Sequence, residues 1–99
     1  MRGRGQSIAT ALTDALLARS EAGLAALAAA FSEACGWPLA REVAVRALSR
    51  EGRIVAVATS DAWAGQVSAL APAIAAKVNA RLGRPLVTGI DVRVGPLDR

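Results

Sequence analysis

Between Ser60 and Gly83 the large apolar residues fall at Trp63, Val67, Leu70, Ile74, Val78 and Leu82. Their spacing of four, three, four, four and four keeps them on one face of a helix. Ser60 is placed to cap its start, and Asp61 puts a carboxylate in the first turn, where the helix dipole favours it. Pro72 has no N–H to donate, and its ring crowds the preceding turn. The stretch therefore reads as one kinked helix or as two consecutive ones, with Gly83 as the C-cap. Beside the apolar stripe, Lys77, Arg81 and Arg84 form a basic edge.

Upstream, Ile8, Leu12, Ala15 and Leu16 mark a helix from Ser7 to near Arg19, preceded by a disordered arm over residues 1–6. A second helix carries Leu24, Leu27, Ala28 and Phe31 on one face, with Cys35 one turn on and Gly36 at its end. The pattern leaves open whether the chain breaks at Ser20 or bends at Gly23. Trp37-Pro38 leaves helical geometry. Alternation from Arg41 to Leu48 predicts a strand, with Val43, Val45 and Ala47 on one side and Glu42, Ala44, Arg46 and Leu48 on the other. Arg50-Glu51-Gly52 supplies a turn with glycine where a positive φ is needed, and Arg53–Thr59 returns as a second strand.

That second strand is nearly continuously apolar. Either Ile54, Ala56 and Ala58 face the helices with Val55 and Val57 outward, or the reverse. An outward Val55/Val57 pair would be an apolar contact patch. Leu86–Val94 gives a third strand, with Ile90, Val92 and Val94 on one side and Asp91 and Arg93 on the other. Gly89 in it signals a bulge or a close backbone approach. Residues 96–99 read as a frayed tail. The order predicts an α+β domain over residues 7–95, a three-stranded sheet covered on one face by helices.

Composition narrows the function. The chain has 99 residues and is 54% apolar, much of it alanine, so the core should be thin and closely packed. There is no histidine and one cysteine, which excludes an internal disulfide, a Cys/His zinc site and histidine acid–base chemistry. Cys35 reads as a small buried side chain, and a lone thiol fits a reducing cytoplasmic setting. Asp61, Asp91, Glu42 and Glu51 show no paired arrangement, and no phosphate-binding loop is present, so neither enzymatic activity nor a cofactor is expected. The longest charge-free run, Ala62–Ala76, is too short to span a bilayer.

Charge points to the partner. Residues 1–35 carry three basic and three acidic side chains, and residues 36–99 carry nine and five, so the net +4 lies wholly in the second part. Such a bias suits a polyanion, or serves solubility alone. Arg46, Arg53 and Arg93 add a second basic surface on the outward side of the sheet, diluted by Glu42 and Asp91. No aromatic residue is interleaved there, which argues against base stacking of the RNA-recognition-sheet kind.

The run GRIVAVATSDAWAGQVSALAPAIAAKVNARLG followed by VTGIDVRVG resembles the DciA family of bacterial replicative-helicase loaders. The carrying features are Gly52, Ile54, Ser60, Ala62-Trp63, Leu70, Val78-Asn79, Leu82-Gly83, Ile90, Val92 and Gly95, with Gly36-Trp37 upstream. The resemblance implies a KH-like fold of the α-α-β-β-α-α-β order and a role in handing the DnaB-type helicase onto DNA. The GxxG loop of nucleic-acid-binding KH domains is missing at Ser68–Pro72. Single-stranded or tailed DNA would then meet Lys77, Arg81, Arg84, Arg46, Arg53 and Arg93, and the helicase would meet the surface around Trp63, Val55 and Val57. The alternatives are a protein-interaction module without a nucleic-acid role and a KH-like RNA binder.

Overall fold

A computed structural model describes residues 20–97. The expected arm over 1–6 and helix over 7–19 lie outside the described residues, as does the end of the tail. The elements in order are α1 (Glu21–Cys35), a single 3-10 turn (Leu39–Arg41), β1 (Val43–Leu48), β2 (Arg53–Ala58), α2 (Asp61–Leu82) and β3 (Gly89–Val94). The two helices and three strands give an α+β arrangement.

The break before α1 falls at Ser20. Its backbone is extended, and its Oγ accepts the Gly23 N–H at 3.1 Å, satisfying a donor that the first turn leaves without a helical partner. Gly23 thus lies inside the first turn rather than at a bend. Leu27, Ala30 and Phe31 are buried along α1, and Leu24 and Cys35 are half-buried beside them. Gly36 ends the helix, and Leu39 in the following turn is buried too.

β1 and β2 form an antiparallel hairpin, while β2 and β3 run parallel, so the sheet is mixed with order β1-β2-β3. In β2, Ile54, Ala56 and Ala58 are fully buried against the helices, and Val55 and Val57 are only half-buried on the far side. That decides the facing the sequence leaves open. β1 departs from simple alternation. The register slips between Val45 and Ala47, a bulge that places two residues opposite one. Val43 and Val45 keep the helix face as expected. After the bulge Leu48, expected outward, pairs with Ile54 and is buried, while Ala47, expected inward, is exposed.

A parallel pair needs a crossover, and α2 supplies it as one 22-residue helix. The order drawn from the resemblance is therefore corrected between β2 and β3: one helix stands where two were expected. Pro72 does not break it because Ser68 and Pro72 both lie on the exposed side. The Ser68 carbonyl, left without the Pro72 N–H, thus belongs to a residue that water reaches. Val67, Ile74, Ala75 and Val78 are buried, whereas Leu70 is 42% exposed although it lies on the predicted stripe.

Both ends of α2 are fixed by side chains. Ser60 Oγ accepts the Trp63 N–H at 3.2 Å. At the other end Gly83 is left-handed, and its N–H and that of Arg84 donate to the Asn79 carbonyl. The Asn79 side chain then clamps Val87 from both sides: its Oδ1 accepts the Val87 N–H at 2.7 Å and its Nδ2 donates to the Val87 carbonyl at 2.9 Å. Val87 is buried, so those backbone groups have no ready access to water. Gly52 completes the join. It has φ +84°, its carbonyl accepts the Thr88 N–H, and a Cβ there would stand 2.7 Å from the Leu86 carbonyl oxygen.

Two substitutions test this join by urea denaturation. Asn79→Ala leaves both Val87 backbone groups without partners and should cost about 1–3 kcal/mol. Gly52→Ala should cost more than about 1 kcal/mol, because a positive φ and a backbone clash act together. Unchanged midpoints in both variants would contradict the assigned contacts.

Candidate nucleic-acid interface

The basic residues divide between two sides of the molecule. Lys77 and Arg81 are exposed on the last two turns of α2, one helical turn apart, and Arg84 follows just past the Gly83 cap. Cations at this end also favour the helix dipole. Arg81 reaches across to α1, with its Nε 3.0 Å from Glu33 Oε1 and its Nη2 donating to Oε2 at 3.1 Å. Both partners are more than half exposed, so water and salt screen the pair and a phosphate can compete for Arg81. Lys77 faces the same end of α1. Burial pushes the Cys35 thiol up to about 11, and the charge of Lys77 opposes that rise. Cys35 is accordingly a protonated, half-buried side chain rather than a nucleophile.

On the open side of the sheet the arginines are differently occupied. Arg53 lies over Gly89, where a Cβ would come 2.5 Å from its Nη1, and it grips Asp91 of β3. Its Nε donates to both carboxylate oxygens at 3.0 Å and its Nη2 to Oδ1 at 2.7 Å. These hydrogen bonds, with the charges of Arg53 and Arg93, hold the Asp91 carboxyl below its ordinary range, while desolvation works the other way. Gly89 thus marks a close approach, but of a guanidinium rather than of a backbone. Arg46 sits in the β1 bulge and donates to the carbonyls of Pro96 and Leu97 at 3.1 and 2.9 Å. Arg93 is exposed on β3, beside Val57 in the register, and Val55 is likewise beside Asp91. The five candidate arginines and the lysine therefore do not form one surface: Lys77, Arg81 and Arg84 lie at the end of α2, and Arg46, Arg53 and Arg93 belong to the sheet.

Trp63 is half-buried against the core at the start of α2. Leu70 lies seven residues on, close to two full turns, so the two share an edge of the helix. The residue that helical periodicity misses is Trp37. It belongs to no apolar stripe, stands before a proline, and is 73% exposed. The Arg41 guanidinium sits 4.8 Å from its ring centroid. A tryptophan outside every amphipathic pattern was the available signal.

The sequence matches the family described as "Dna[CI] antecedent, DciA" over residues 5–92. The chain belongs to the DciA family. Membership ties it to a role related to loading of the DnaB-type replicative helicase. No curated protein and no solved structure matches the chain. Among the described residues no helix is long and apolar enough to cross a membrane. This DciA domain thus carries its basic residues on two sides, with those of the sheet largely engaged by Asp91 and by the chain's own carbonyls.

The Arg53–Asp91 pair gives a pH prediction. Asp91 has a depressed native pKa, so its contribution is present above the unfolded value of about 4 and is lost as pH falls through the native value. At low salt the wild type should be more stable than Asp91→Asn near neutral pH, and the two should converge in acid. A difference that persists unchanged into strong acid would contradict the pair.

Proposed function

We propose that this chain is a non-enzymatic accessory protein of the cytoplasm that binds single-stranded or tailed DNA and recruits the DnaB-type replicative helicase to it. The observation that carries the DNA part is the exposed basic end of α2, where Lys77 and Arg81 lie one turn apart and Arg84 follows. Phosphates neutralised there would release counterions, the main source of affinity in sequence-independent binding. The sheet arginines are less suited, since Arg53 is held by Asp91 and Arg46 bonds the carbonyls of Pro96 and Leu97. The helicase part rests on family membership together with the half-exposed edge of Trp63 and Leu70, with Val55 and Val57 as a second apolar surface. A KH-like arrangement is part of the same reading. The mixed sheet backed by helices supports it, with a single helix in place of the pair that would flank a GxxG loop.

Two measurements test this. For single strands, log affinity falls against log salt with a slope of about −0.7 per phosphate contacted. The triple variant Lys77→Ala/Arg81→Ala/Arg84→Ala should bind DNA more weakly and flatten the slope by about 2. A triple variant with unchanged affinity and slope sinks the basic end as the track. In a pull-down, the wild type should capture the DnaB-type helicase and Trp63→Ala, checked for folding by circular dichroism, should lose it. Capture by neither form removes the recruiting role.

A further inference from the structure

We infer that Trp37 and Arg41, just past the end of α1, form a base-stacking platform for single-stranded DNA. The inference rests on the DNA-binding reading above and adds the residue that would distinguish single strands from duplex.

Four observations converge on it. Trp37 is 73% exposed, the largest exposure among the bulky apolar side chains described, whereas Trp63 is half-buried. The Arg41 guanidinium lies 4.8 Å from the indole centroid. A cation on one face of the ring fixes its orientation, and the exposure leaves the other face for a flat aromatic partner. The platform follows the end of α1 that the basic residues face. Lys77 is near enough to Cys35 for its charge to act on that thiol, Arg81 is paired to Glu33, and the chain passes from Cys35 through Gly36 directly to Trp37. Finally, an open groove of about 420 Å³ runs between α1 and β1, and Arg41 is the one charged side chain lining it beside Phe31, Val43 and Val45.

An aromatic face beside cations suits an unpaired nucleobase with its phosphate. Stacking contributes without sequence preference because every base has a π-face. A duplex cannot offer it, since its bases are already stacked on one another. The charge around the platform also selects among partners: Arg41 and Lys77 are positive, and nearby Glu33 is engaged by Arg81.

The test uses the fact that the chain has two tryptophans and no tyrosine. In Trp63→Phe the indole of Trp37 is the sole strong emitter. Titration with a dye-labelled oligothymidylate then yields two signals from one sample: dye anisotropy for binding and indole emission for stacking. Emission should be quenched in step with the anisotropy rise, and a duplex of equal length should leave it unquenched. Should Trp63→Phe fold poorly, the wild type compared with Trp37→Phe reports the same difference. Trp37→Ala should weaken oligothymidylate binding roughly ten- to a hundredfold, with Trp37→Phe recovering much of the loss. Arg41→Ala should weaken binding as well. An anisotropy rise with full affinity in Trp37→Ala, or with unquenched emission, overturns the platform while DNA binding stands. No anisotropy rise with any form overturns both. Loss of helicase capture in Trp37→Ala with DNA affinity intact would assign the ring to a protein partner and also overturn the proposal.

Discussion

Two parallel strands cannot be joined by a tight turn, and that constraint shapes this molecule. The path from the end of β2 back to the start of β3 must run the length of the sheet, and α2 is the rod that covers the distance. A 22-residue helix rises about 33 Å, more than the six residues of either strand need. Lys77 and Arg81 lie on the exposed face of its last two turns, on either side of fully buried Val78. The clamp of Asn79 on Val87 then brings the chain back to the strand.

Packing explains why the rod sits where it does. Ala56 and Ala58 on β2 and Ala30 on α1 are almost wholly buried, so small side chains carry much of the contact and the layers approach closely. The larger residues Phe31, Leu27, Ile54, Val67 and Val78 fill what remains, each with almost no exposed surface. The exposed ion pairs contribute little beside this. Their importance lies in which cations they engage: Asp91 neutralises Arg53 on the sheet with three hydrogen bonds, while at the helix end Glu33 holds Arg81 in a screened pair.

Much of this was legible in residue order. Ser60 and Gly83 announced the ends of α2, and Gly52 marked the hairpin turn. Local rules could not decide the rest. Pro72 left one helix or two open, because its effect depends on whether the freed carbonyl meets water or protein. The bulge at Val45–Ala47 has no signature in the alternation, yet it sends Leu48 inward and Ala47 outward. The pairing of Arg53 with Asp91 joins residues on neighbouring strands whose register only tertiary structure sets. Of the candidate site, the Lys77–Arg84 edge was visible as spacing, while its separation from the sheet arginines was not. Trp37 stood out as the end of a helix and as part of the resemblance, but not as a contact residue, because periodicity ranks aromatics by the stripe they join, and this one joins none.

If macromolecular contacts gather at the end of α2 and at the turn that follows α1, rather than on the open sheet, the site can be mapped directly. Backbone amide shifts recorded while single-stranded DNA is titrated into isotopically labelled protein map the contact residue by residue. The largest changes are expected at Lys77, Arg81, Arg84 and the Trp37–Arg41 turn, with Val55, Val57 and Arg93 nearly still. Changes centred on those three sheet residues, with the helix end unmoved, would contradict it.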